Sequence, residues 1–326
     1  MSQSSTPISN NNGIQVIDPP LLRTIKLSLF AVGVPISMSC YLFIIYQLLS
    51  HRTLREGLNN HAIIVNLCFN LIVVMVDLPF ILSYLHLAYV IPATEAHCLV
   101  WQFVDYGIWF TDVFVTFWAS IERHILIFHS NMTNTAKKRL FVHWMPLVFF
   151  SLYAPTIYGY LVFFYPAPHN YDFTQYLCGG PYYYHDIAPW LLWYETIVHF
   201  TMPNILIVVL GFALVIRVVV QKQKLCQSAG WRQYRRMTKQ FVFISLVYIC
   251  NLPYIIVTIV RWSGYPNFGL NVQGPYFFYM LYIPTLVFPF AVLATMPNLR
   301  EKFGRYFHQR TILQMNTIVP TNNDVR

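Results

Sequence analysis

The sequence predicts an all-α membrane protein: a seven-transmembrane helix bundle with a short amphipathic eighth helix and an extracellular N-terminus. Three observations predict it. Of 326 residues, 56% are hydrophobic and only 10% charged, whereas a soluble domain has about 25% charged residues. The apolar residues gather in seven stretches, 26–49, 60–86, 97–129, 140–164, 190–220, 239–261 and 276–295, each near the ~20 residues that cross a bilayer. All but three of the 21 Lys and Arg then fall on one side; the exceptions are Arg23, Lys26 and Arg261. Basic loops stay in the cytosol, and only an odd number of spans keeps that alternation. The net charge of +9 is therefore topological, and no nucleic-acid partner is expected.

Taken in order, residues 1–24 form a polar, Ser/Asn-rich extracellular tail without the apolar core of a signal peptide, composed like a disordered segment. The first span then serves as the insertion signal. The third span, which opens HCLVWQFVDYGIWFTDV, carries Asp105, Asp112, Glu122 and Arg123. Charges at bilayer depth cost about 2.5–3.5 kcal/mol each on insertion scales, so this helix belongs at the centre of the bundle. The 165–189 loop is long and aromatic. Glu195 and His199, four apart on the fifth span, are expected on one face. A helix over 298–308 shows Leu299, Phe303 and Phe307 on one side and suits the headgroup plane, where anionic lipid faces the basic loops. The organisation is thus a tail at 1–24, a seven-span bundle with its eighth helix at 25–308 and a cytoplasmic tail at 309–326.

Of six cysteines, Cys98 and Cys178 fall on the outer side, in an oxidising compartment where disulfides persist. A bond between them would pin the long loop over the bundle. Cys40, Cys68 and Cys250 read as packing thiols and Cys226 as a cytosolic thiol. The sequon Asn131–Thr133 falls on the cytosolic side, so it reads as chance. Prolines 35, 79, 155, 203, 253, 284 and 289 punctuate the spans. Each removes a backbone donor, and neighbouring helices or waters must satisfy what it exposes.

These features together resemble the rhodopsin-like (class A) family of G-protein-coupled receptors over about residues 25–308. The interval from Cys98 to Arg123 matches the family's spacing between its disulfide cysteine and the Arg of Asp/Glu-Arg-Tyr, here Glu122-Arg123-His124. Cys250-Asn251-Leu252-Pro253 stands for Cys-Trp-x-Pro, and Phe288-Pro289-Phe290-Ala291-Val292 for Asn-Pro-x-x-Tyr. Trp144, Pro203 and the Leu299-Arg300 start of the eighth helix match as well. The chain departs where the family's second-span Asp is Leu71, its toggle Trp is Asn251 and its seventh-span Tyr is Val292.

The resemblance implies a plasma-membrane receptor with an extracellular ligand and a heterotrimeric G protein as partners, and no cofactor. Asp105 falls where amine receptors hold a cationic ligand, and Tyr282 where they place its hydrogen-bonding tyrosine. With Tyr254, Glu195 and His199 these are the expected ligand contacts. The alternatives for Asp105 are a pair with His199 or Arg261, or a protonated carboxyl. The amine-receptor serines and toggle Trp are absent, which favours a peptide with a basic or amidated end over a biogenic amine. Asp112 and Asn70 are the candidate ion site, although a standard sodium site is not expected without the second- and seventh-span polar residues. Glu122, Arg123, His124, Asn251, Pro253 and Pro289 are the expected activation switch. In the resting state Arg123 is expected to pair with Glu122. The start of the sixth span has no acid to hold Arg123, which implies ligand-independent signalling. The seventh span lacks the lysine that a retinal pigment needs.

A transporter or channel using intramembrane acids is the alternative, but no internal repeat supports it. No GxSxG, HExxH or zinc spacing indicates an enzyme.

Overall fold

The computed structural model describes residues 19–180, 183–220 and 231–295. The expected eighth helix at 298–308, Cys226, the tail to residue 18 and residues 309–326 lie outside them. Among the described residues, seven long helices cross the molecule. α1 is Pro20–Ser50. α2 runs through Leu58–Ile72, Val73–Asp77 and Leu78–Leu87. α3 runs through Glu95–Gln102, Phe103–Ile108 and Trp109–Phe128. α4 is Ala136–Phe163, α5 Pro189–Val220 and α7 Leu270–Thr295. α6 is Trp231–Tyr248 followed by Leu252–Trp262.

Six of these helices are long and apolar enough to cross a membrane. The seventh is α3, whose acids lower its hydropathy and whose central position hides them. Between Trp109 and Phe128 most of its side chains are buried, Asp112, Glu122 and Arg123 included. Two helices begin six residues before their apolar stretches. α1 starts at Pro20 because proline suits a first helical turn. α7 starts at Leu270 from Gly269, whose φ of +65° opens the turn and where an added Cβ would lie 2.8 Å from Val257.

The prolines act through wide turns. Pro79 and Pro203 sit in the first turn of an α-segment that follows a π-helical stretch, at Val73–Asp77 and Glu195–Thr201. Widening the preceding turn relieves the clash between the proline ring and the carbonyl four residues back. Pro253 follows a 3-10 turn at Ile249–Asn251 instead. Pro289 lies inside α7 and deprives the Thr285 carbonyl of its helical donor. The buried Tyr41 hydroxyl of α1 donates to that carbonyl at 2.6 Å, and Ser37 donates to the next one, Leu286, at 2.7 Å. Gly211 lets α5 approach α6, since an added Cβ would fall 2.0 Å from Ser245 Oγ.

Cys98 and Cys178 are joined, and the segment between α4 and α5 folds over one end of the bundle. Asp172 organises its turn. It accepts from the Thr174 amide at 2.9 Å and hydroxyl at 2.6 Å, and from Gln175 Nε2 at 2.7 Å. These bonds hold its carboxyl below the ordinary 3.8, the Thr174 hydroxyl contributing most. Leu177 and Cys178 both adopt left-handed backbone, with φ of 56° and 57°, at about 1–2 kcal/mol each. The disulfide, a bond from Gly180 N to Leu177 O at 3.0 Å and one from Asp172 N to Cys178 O at 3.0 Å hold them there.

Candidate functional site

Asp105 stands in a π-helical stretch of α3, Phe103–Ile108, a geometry common at functional sites. The stretch turns its half-buried carboxylate toward the lid. Tyr282 of α7 donates to Asp105 Oδ1 at 2.5 Å. Tyr176 of the lid lies 2.8 Å from the Tyr282 hydroxyl and 3.4 Å from Asp105 Oδ1. Since Tyr282 donates to the acid, Tyr176 donates to Tyr282, and a chain of hydroxyls joins lid to carboxylate. Burial, then the charges of Asp105 and Asp77, push the Tyr176 hydroxyl well above its usual range, which keeps it a donor.

Two cavities meet at this acid. The larger, about 550 Å³, lies under the lid and is bounded by Arg23, Asp105, Tyr176, Tyr254 and Tyr279. The smaller, about 310 Å³, reaches toward α5 and α6 and is bounded by Asp105, Glu195, Tyr254, Arg261 and Tyr282. Asp105, Tyr106, Tyr254 and Phe278 belong to both walls. These volumes are those of ligand sites, mostly apolar with a few polar groups.

The structure brings Asp105, Tyr282, Tyr254 and Glu195 together and leaves His199 out. His199 is fully buried against α4, with Tyr153 at 2.9 Å from Nε2 and Tyr158 at 2.7 Å from Nδ1. It bounds neither cavity. Glu195 faces the smaller cavity from the π-helical Glu195–Thr201 stretch, while two tyrosines of α4 hold His199 one turn further along, away from the cavity wall. Glu195 is held by Tyr184 at 2.8 Å and His185 at 2.7 Å. Asp105 pairs with neither His199 nor Arg261, for Arg261 binds Gln273 at 2.5 Å and the Pro266 carbonyl at 3.0 Å. Asp77 is a core hydrogen-bonding group, receiving Trp101 Nε1 at 2.8 Å.

Deeper in α3, Asp112 is buried in a polar network. Asn70 donates to its Oδ1, and Tyr248 of α6 donates to Oδ2 at 3.4 Å. Asn66 bonds Thr116 Oγ1 at 2.6 Å. Asn251 donates to Asn204 at 2.7 Å, tying the 3-10 turn of α6 to α5.

At the far end Arg123 is fully buried. Its guanidinium lies 4.7 Å from the Phe241 ring centre of α6, a contact worth about 0.5–2 kcal/mol. The expected Glu122–Arg123 pair is not what holds Glu122. Adjacent residues on a helix point to different faces, and Glu122 turns to α4, where it bonds His143 Nδ1. His124 contacts the Leu210 carbonyl at 3.0 Å. The hydroxyl of Tyr176 and the imidazoles of His61 and His143 escaped the sequence reading. The one visible signal was two histidines inside apolar spans.

A membrane bundle with a lidded cavity at one end and a buried arginine under a hinged helix at the other has the architecture of a transmembrane receptor. The chain matches the 7 transmembrane receptor (rhodopsin family) over residues 40–304. It belongs to that family: it is a rhodopsin-like G-protein-coupled receptor, a multi-pass membrane protein and not an enzyme. Comparison with curated proteins gave no match.

Proposed function

We propose that this receptor sits in the plasma membrane with its lid outside, binds a cationic extracellular ligand at Asp105 and activates a heterotrimeric G protein. The observation that carries it is the placement of Asp105 in the wall shared by both cavities. A carboxylate held by hydroxyls and facing a half-open cavity attracts a counter-charge, and a ligand ammonium or guanidinium supplies it. Two lobes flanking one acid favour an extended ligand, a peptide with a basic or amidated end, over a compact amine. Tyr254 and Tyr282 line its path and Glu195 closes the far lobe. On this reading Asn251, Pro253 and Pro289 form the hinges, and outward movement of α6 carries Phe241 off Arg123 and opens the coupling surface of Glu122, Arg123 and His124. Asp112 and Asn70 are the proposed ion site between the two ends.

A screen of amines and amidated peptides on cells expressing the chain, read as cAMP and calcium, tests this. Asp105→Asn should abolish the response to any hit while surface expression is kept. An unchanged response would remove Asp105 from the ligand site.

A further inference from the structure

Membrane proteins concentrate Lys and Arg on the cytosolic side, so a basic residue at the lidded end stands against that bias. There are three, Arg23, Lys26 and Arg261, and all stand at or beside a cavity wall. Lys26 of α1 is buried, with its ammonium 3.9 Å from the ring centre of Tyr279, which bounds the larger cavity. Arg261 bounds the smaller one and is bonded to Gln273 and the Pro266 carbonyl. Arg23, near the start of α1, bounds the larger. Its Nε donates to the Leu85 carbonyl in the last turn of α2. That place suits a cation, because the carbonyls that end a helix carry partial negative charge. A guanidinium has five N–H groups, and this bond uses one. Among the described residues, the N–H groups of Nη1 and Nη2 have no hydrogen-bond acceptor.

Among the residues that bound the larger cavity, the charged ones are Arg23 and Asp105. They are opposite in sign, yet they do not pair. Asp105 is held by the hydroxyls of Tyr282 and Tyr176, and Arg23 by a carbonyl. Neutral partners fix both side chains and cancel neither charge. Arg23 is anchored between α1 and the end of α2, and Asp105 between α3, α7 and the lid. Neither reaches the other without giving up its anchor. A cavity of about 550 Å³ whose wall keeps a cation and an anion apart is complementary to a ligand with the same two charges in reversed order. An amine or an amidated peptide would satisfy the acid and cover the guanidinium without supplying an acceptor, which is costly for a charged donor.

We propose that Arg23 is an anion subsite of the ligand pocket, where it pairs with a carboxylate of the peptide whose basic end lies on Asp105. The planar fork of a guanidinium matches the two oxygens of a carboxylate. The Leu85 carbonyl aims that fork by holding Nε. This inference rests on the Asp105 reading above and narrows it. Of peptides with a basic or an amidated end, it selects those with a basic end and a free carboxylate.

The test uses the full-length receptor in nanodiscs and two peptide pools. Each peptide is arginine followed by one to about five neutral residues, ending in a free carboxylate in one pool and an amide in the other. Length scans the spacing between the charges, by about 3.3–3.6 Å per added residue. Peptides retained by the receptor are quantified by mass spectrometry. The wild-type receptor should retain the acid over its own amide by about tenfold at the best length, the scale of one hydrogen bond to a charged group. Arg23→Gln should erase that preference and Arg23→Glu should invert it, while Arg23→Lys, which keeps the charge without the fork, should keep part of it. Asp105→Asn should lower retention of both pools. Equal retention of acid and amide by the wild type at every length overturns the inference. So does retention of neither pool, or an acid preference that survives Arg23→Gln. An acid preference that depends on Arg23 but is untouched by Asp105→Asn would uphold the anion subsite and sink the Asp105 reading instead. Retention that depends on Asp105 without any acid preference would do the reverse.

Discussion

Two carboxylates of α3, Asp105 and Glu122, meet opposite surroundings. Asp105 is half-buried, faces a cavity and is held by hydroxyls from α7 and the lid. Glu122 is 1% exposed and closed off by an imidazole. Hydroxyls stabilise a carboxylate without cancelling its charge, which is what the proposed binding of a cationic ligand at Asp105 requires. Glu122 turns instead to the His143 imidazole of α4. The same functional group faces a cavity at one end and a packed helix at the other, and the neighbours brought by packing decide which.

The most severe way to break this contrast is Asp105→Asn. If the open end recruits a cation, agonist potency should fall by about 2–5 kcal/mol, the range for truncating one side of a buried charge pair. A dose–response shift below threefold would erase the contrast. Cys178→Ser comes next. Releasing the lid that carries Tyr176 should lower stability by about 2–4 kcal/mol, seen as a lower melting temperature in detergent and a lost agonist response. Phe241→Ala attacks the other end. Removing the ring over Arg123 should raise basal signalling by about 0.5–2 kcal/mol of restraint, judged against an Arg123→Ala control. Equal basal signals from the two would mean that the ring restrains nothing.

The smallest effect concerns the lid turn and pH. The Asp172 carboxyl is held below its ordinary 3.8, so its contribution is complete above that value and is lost as pH falls through the lower, folded value. Amide hydrogen exchange at Thr174, whose N–H it accepts, should accelerate only in that acid window, after correction for intrinsic rates. Faster exchange already at neutral pH would show that the turn is held by something else.

The amino-acid sequence by itself determined the seven spans, the central place of α3 and the outer-side Cys98 and Cys178, while the pairing of Asp105 with Tyr282 was implied by the family resemblance. Hydropathy, charge and spacing are local properties, and each span reports them within its own ~20 residues. The bundle's acids were also visible, because few other charges interrupt the spans. Only the tertiary structure decided what each acid meets. Tyr176 and Tyr282 are 106 residues apart, and His61 and His143 are 82 apart. Tyr41 reaches the carbonyl exposed by Pro289 from the opposite end of the chain. The placement of His199 has the same root, since its partners Tyr153 and Tyr158 lie 46 and 41 residues away on α4. Partners brought together by packing leave no periodic mark, so the chemistry of a buried group is settled by the helices that pack around it.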